Sequence, residues 1–201
     1  MMILRSSPLS PFGRKVKIAM HQLGLADRIR VEMTDTTDPE DSIRRQNPLG
    51  KIPALVLEDG TVLYDSPVIL EYLDALAGGG QILPRDGADR WRVLTLHALA
   101  DGIMDAALLQ VYEKRYRDES THNTRWLDLQ AGKIARGLSV LDRNPPAPRV
   151  DMGTIALACA LGYLDLRFDG AWRKAYPALE KWLAAFAAAV PSFEKTAPPT
   201  S

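Results

Sequence analysis

Apolar and polar positions follow two different periods in this chain, and the change from one to the other divides it. Met2 to Arg5 is a short apolar run that suits a buried strand. After Pro11, the apolar residues Val16, Ile18, Ala19 and Leu23 fall at helical spacing, with Gly24 placed to cap the helix C-terminus. Ile29 to Met33 returns to the alternation of a strand. Asn47-Pro48-Leu49-Gly50 is turn chemistry. Ala54–Glu58 and Thr61–Tyr64 then flank Asp59-Gly60, which predicts a β-hairpin with positive φ at both central residues. A helix is expected directly afterwards, with Ser66 as N-cap, Pro67 at the first helical position and an apolar stripe of Ile69, Leu70, Leu73 and Leu76. The order is β-α-β, a connecting segment, then β-β-α.

Gly78-Gly79-Gly80 interrupts this pattern, and Pro84 to Gly87 extends the interruption. Residues 1–77 are therefore expected to form one domain, 78–87 a linker, and 88–201 a second, all-helical domain. Helices are expected over 89–116, 126–141, 152–168 and 177–190, with Pro145-Pro146-Ala147-Pro148 as a rigid connector. The third of these helices has a marked start. Asp151 can accept from the Thr154 amide, the Thr154 hydroxyl can point back, and Val150 and Ile155 stand at the positions of a hydrophobic staple. The tail Pro198-Pro199-Thr200-Ser201 is expected to fray.

Composition narrows the classes of function. Apolar residues are 46% of the 201, enough to bury a sizeable core. Basic and acidic residues number 25 each, and neither half is polarised, so no nucleic-acid or anionic-membrane surface is expected. One cysteine, Cys159, excludes an internal disulfide, and its apolar helical surroundings read as a buried, inert thiol. His21, His97 and His122 show no ligand spacing, so no metal is expected. The apolar run Thr154 to Leu164 falls short of the roughly 18 residues of a membrane span. Met1 to Ser6 lacks the apolar stretch of a signal peptide. A cytoplasmic protein is expected.

Three short segments carry the candidate chemistry: Ser6-Ser7-Pro8-Leu9-Ser10-Pro11-Phe12, Lys51-Ile52-Pro53 and Asp65-Ser66-Pro67. Singly each has an ordinary explanation, as a helix cap or the opening of an edge strand. Their order and context resemble the thioredoxin-like domain of glutathione S-transferases, most specifically in Asn47–Leu55 and Asp65–Leu73. Ala98–Ala106 and Ala156–Leu164 look like a bacterial subgroup of that family, whose second domain is all-helical. The resemblance covers essentially the whole chain.

The resemblance implies glutathione as co-substrate. Backbone N–H groups at the start of the Pro67 helix, with the Ser66 hydroxyl, suit the γ-glutamyl carboxylate. Asp65 would add charge near the ammonium. A cis Pro53, as in the family, would let Ile52 pair its N–H and C=O with the cysteinyl backbone. Lys51 is a candidate for the glycyl carboxylate, or else a solvated lysine. Ser10 matches the position of the reactive residue in cysteine-type members and is the candidate thiol activator, with Ser7 and Ser6 as rivals. A serine there forms no mixed disulfide, which argues against a glutaredoxin-like reaction. Arg14 and Lys15 read mainly as salt bridges on a solvated face. Met104, Leu108, Tyr112 and Tyr116 are candidates for the wall of an electrophile pocket, against core packing; Trp126 and Phe168 have no assignable place. The expected activity is attack of a glutathione thiolate on a small hydrophobic electrophile. The alternatives are a non-catalytic glutathione-binding module and a glutathione-dependent peroxidase, isomerase or disulfide reductase. A homodimer is implied by the resemblance alone.

Overall fold

The structure, a computed structural model, describes residues 1–199. Thr200 and Ser201, part of the tail expected to fray, lie outside the described residues.

A four-stranded sheet in the order β2-β1-β3-β4 forms the first part. Strand β1 (Met2–Ser6) pairs parallel to β2 (Ile29–Met33), antiparallel to β3 (Ala54–Val56), and β3 pairs antiparallel to β4 (Val62–Leu63). Leu4 and Leu55, opposite one another on β1 and β3, are fully buried. Helix α1 (Pro11–Gln22) crosses between β1 and β2, α2 (Ile43–Gln46) is a single turn, and α3 (Ser66–Leu76) comes after β4. This is the α/β thioredoxin-like arrangement.

Local chemistry sets these boundaries. Helix α1 ends in a Schellman motif: Leu25 N–H donates to Met20 O at 2.8 Å and Gly24 N–H to His21 O at 3.2 Å, with Gly24 at φ +68°. The hairpin differs from expectation. Gly60 N–H donates to Leu57 O and Leu57 N–H to Thr61 O, closing a three-residue loop in which only Gly60 has positive φ, at +87°. Asp59 keeps a negative φ, which costs a residue with a Cβ less than the left-handed turn expected for it. Helix α3 starts one residue earlier than the sequence indicates: Asp65 is the N-cap, Ser66 the first helical residue and Pro67 the second.

Arg5, 3% exposed, gathers the connection between β2 and β3. It donates to Thr34 Oγ1 at 2.9 Å, Ser42 Oγ at 2.6 Å, Gln46 Oε1 at 2.7 Å and Asp41 Oδ1 at 2.8 Å. The turn after α3 is tied as tightly. Asp74, 4% exposed, accepts from the backbone N–H groups of Gly80, Gln81 and Ile82 at 2.7–2.9 Å. Ile82 and Leu83 beyond it are buried.

Helices α4 (Gly87–Tyr116), α5 (Thr124–Arg143), α6 (Met152–Phe168), α7 (Trp172–Ala175), α8 (Pro177–Ala189) and α9 (Pro191–Lys195) complete the described chain. Helix α4 is long and apolar enough by composition to cross a membrane, but it spends its buried face against α5 and α6. Helix α6 is buried along nearly its whole length and starts with the expected reciprocal cap: Thr154 N–H to Asp151 Oδ1 and Asp151 N–H to Thr154 Oγ1, both 2.9 Å. Val150 and Ile155 both pack into the core. Asp142 of α5 caps α8, accepting from Ala178 and Leu179 N–H at 2.8 and 3.0 Å.

Helix α1 packs on α3 and also on α4, α6 and α9. Its Arg14 and Lys15, expected on a solvated face, are instead 5% and 0% exposed. Arg14 donates to Phe193 O at 2.7 Å and lies 4.0 Å from the Phe193 ring centroid. A Cβ at Gly162 of α6 would come within 2.6 Å of Arg14 Nη1, so the glycine makes room for the guanidinium. Lys15 Nζ donates to Asp101 Oδ1 at 2.5 Å and His97 Nε2 at 2.9 Å, both on α4. The helical periodicity of α1 was legible, but its second buried face belongs to the packing of the other half.

Candidate functional site

Ser10 is the N-cap of α1, with φ −84° and ψ 116°, and Pro11 occupies the first helical position. Its Oγ accepts from Gly13 N–H at 3.1 Å, which leaves the hydroxyl proton available to a further acceptor. Gly13 permits the close approach of this turn to the end of β1, because a Cβ there would lie 2.1 Å from Ser6 Oγ. Of the rivals, Ser6 is 1% exposed at that contact. Ser7 Oγ accepts from Leu9 N–H at 3.4 Å and stays half-buried in the loop.

Asn47 holds the second segment. The carboxamide is 2% exposed; its oxygen accepts from Leu49 N–H at 3.0 Å and its nitrogen donates to Lys51 O at 2.9 Å. Sequence reading assigned Asn47 to a turn and missed this clamp, whose signal is a side-chain amide two and four residues from the groups it bonds. The Ile52–Pro53 and Tyr64–Asp65 peptide bonds are both cis. Pro53 is buried, and β3 begins at Ala54. Neither backbone polar group of Ile52 has a partner among the described residues.

At the third segment no side chain caps α3. The amides of its first turn are free to receive an anion, and the Ser66 hydroxyl at 2% exposure has no partner among the described residues. Lys51 and Asp65 are both exposed. Helix α4 carries Asp101 and Asp105. Burial pushes both carboxyls up; Lys15 draws Asp101 back down, while Lys51 and Lys15 do so for Asp105. The charge of Asp65 reaches both of them. The two α4 carboxylates, given no role from sequence, thus lie within electrostatic reach of Asp65, and Asp105 within that of Lys51 as well.

The Ser10 loop also meets the helical half. Pro8, Leu9, Ser10 and Pro11 share a small cavity with Arg14, Cys159, Gly162, Tyr163, Leu166 and Pro198. Met104 is fully buried and belongs to the core rather than to a pocket wall, whereas Leu108 is half-buried and Tyr112 and Tyr116 are 36% and 62% exposed. Trp126 is 38% exposed, and Phe168 packs partly against the core. The Cys159 thiol is buried as expected, and desolvation pushes its pKa up to about 12, too high for a thiolate at neutral pH.

Residues 9–76 match the family described as "Glutathione S-transferase, N-terminal domain". The uncharacterised GST-like protein YibF of Escherichia coli K12 is 39% identical over 171 residues, 83% of each chain. A glutathione transferase family member from Pseudomonas fluorescens Pf-5, solved with bound glutathione, is 44% identical over 100% of both chains, with a TM-score of 0.94. A structure of a family member from the same strain, with bound S-(propanoic acid)-glutathione, gives 44% identity, a TM-score of 0.89 and coverage of 99% of this chain and 100% of that one.

Proposed function

This chain belongs to the glutathione S-transferase family, and on that premise we propose that it binds glutathione and activates its thiol for transfer to a small electrophile. The observation that carries the reading is a set of polar groups on three neighbouring segments that keep hydrogen-bonding capacity the described residues do not use. The Ile52 N–H and C=O take the cysteinyl backbone, the Ser66 hydroxyl and the α3 amides take the γ-glutamyl carboxylate, and Ser10 faces the sulfur. Asp65, with Asp101 and Asp105 of α4, favours the ammonium, and Lys51 favours the glycyl carboxylate. The glutathione and S-substituted glutathione held by the Pseudomonas relatives support the same occupant here.

Activation needs no general base. The α1 N-terminus favours a negative charge placed before it, and the Ser10 hydroxyl donates to the thiolate while its oxygen accepts from Gly13. The thiol proton passes to solvent and the sulfur attacks the electrophile. We assign residues 1–77 to glutathione, 78–87 to the connection and 88–201 to the electrophile wall. The protein is taken to act in the cytoplasm, in detoxification, as a homodimer to which the exposed Tyr64, Val68 and Trp91 offer apolar area.

Retention on immobilised glutathione, followed by conjugation to a generic electrophile, tests the reading. Binding with turnover supports it. Binding without turnover indicates a non-catalytic module, and loss of both defeats it. Ser10→Ala should lower the rate and raise the pKa of the bound thiol, read from thiolate absorbance against pH, while glutathione binding survives. An unchanged pH–rate profile would remove Ser10 from the mechanism.

A further inference from the structure

Two cavities meet behind the Ser10 loop. The one that Ser10 lines has a volume of about 10 Å³, room for a single water molecule. The other is a groove of about 740 Å³ between α6, α8 and α9, a size that small-molecule sites share. Arg14, Gly162, Leu166 and Pro198 line both, so these four residues form the partition between them. Three of the four are fixed. Gly162 and Leu166 belong to α6, and Arg14 is held by Phe193 O at 2.7 Å and by Thr196 Oγ1 at 3.5 Å. Pro198 differs. It follows the last helix, and the last backbone hydrogen bond of the described chain runs from Ala197 N–H to Glu194 O at 3.0 Å. Proline has no N–H to add. Among the described residues Pro198 is held by contact alone, which makes it the movable member of the partition.

The lining of the groove indicates what it fits. Its cations are already engaged: Arg173 pairs with Asp165 at 2.7 Å, and Arg14 is held as above. Asp169 and Glu194, which also line it, are exposed acids and disfavour an anion. Leu166, Leu183, Ala184 and Ala187 supply apolar surface. An uncharged apolar body gains most from such a surface. Size then decides where that body can lie. Beside Ser10 there is room for reacting atoms and little more, whereas the groove has room for an extended chain.

We propose that the electrophile is elongated and uncharged, with its reactive carbon beside Ser10 and its apolar body in the groove between α6, α8 and α9, reached past Pro198. This rests on the reading that the glutathione sulfur lies at Ser10. Residues of α8 and the C-terminal tail, remote in sequence from the glutathione segments, then set which electrophiles are accepted.

Calorimetric titration with two finished conjugates, S-methylglutathione and S-decylglutathione, tests this without turnover. The decyl conjugate should bind about thirtyfold more tightly, because its chain buries further methylenes. Ala184→Trp, at an exposed position that lines the groove, should remove about tenfold of that gain and leave the methyl conjugate unaltered. Ala185→Trp, exposed on the same helix but outside the groove, should alter neither. Pro198→Gly should speed association of the decyl conjugate about threefold, read by stopped-flow tryptophan fluorescence, with no change for the methyl conjugate. Equal affinity for the two conjugates, or a gain that Ala184→Trp does not reduce, overturns the groove as the site of the apolar body. A decyl association rate that Pro198→Gly does not move overturns the passage past Pro198. Failure to bind even S-methylglutathione overturns the underlying glutathione reading, and the proposal falls with it.

Discussion

Ser66 is held at 2% exposure as the first residue of α3, with its hydroxyl unclaimed by the described protein. A hydrogen bond from such a group to a charged carboxylate contributes about 1.5–3 kcal/mol. Ser66→Ala should therefore weaken glutathione binding by roughly ten- to a hundredfold, measured by calorimetric titration. Unaltered affinity would mean that the γ-glutamyl carboxylate lies elsewhere. Serine-proline pairs at residues 10–11 and 66–67 were readable as helix starts, because capping and proline placement are local chemistry. The clamp by Asn47 and the burial of Lys15 were not, since each depends on what the chain places opposite.

At the scale of elements, Asp74 ties α3 to the glycine turn beyond it. Gly79 N–H donates to its backbone carbonyl at 2.7 Å while its carboxylate takes the next three amides. The triple glycine, expected as part of a linker, is bound to the end of α3. Asp74→Ala would leave those amides without an acceptor, one of them buried, at a cost of about 2–4 kcal/mol. The midpoint of urea unfolding should fall accordingly, and amide exchange at Gly80 to Ile82 should accelerate. Protection unchanged at those amides would show that the carboxylate is not their anchor. The long elements were legible because their periodicity is strong: α6 has the residue limits its cap and pattern indicate. The single-turn helices α2, α7 and α9 carry too few residues to show a period, and sequence reading left them as connections.

Across the whole molecule, α1 is the shared element, and its Lys15, with His97 and Asp101, forms a charged contact inside the seam. Desolvation, reinforced by the charge of Lys15, lowers the His97 pKa from 6.5 to about 3. The unfolded chain thus takes up a proton near pH 6.5 that the fold accepts only near 3. Stability should decline as pH falls through that interval, by at most about 1.4 kcal/mol per unit from this group. Asp101, raised by burial, acts in the opposite sense above the ordinary aspartate range. The loss of thermal midpoint between pH 7 and pH 5 should be smaller in His97→Gln than in the parent protein; equal losses would show that this imidazole does not set the acid limit. The same seam limits recombination between relatives. A hybrid joining the sheet half of one protein to the helical half of another inherits Lys15 without a guaranteed Asp101, and Arg14 without a guaranteed Gly162. Stranding one buried charge costs about 3–5 kcal/mol, a large fraction of a typical fold's margin. Exchange between lineages is therefore constrained by two residue pairs that a boundary drawn at the glycines would separate.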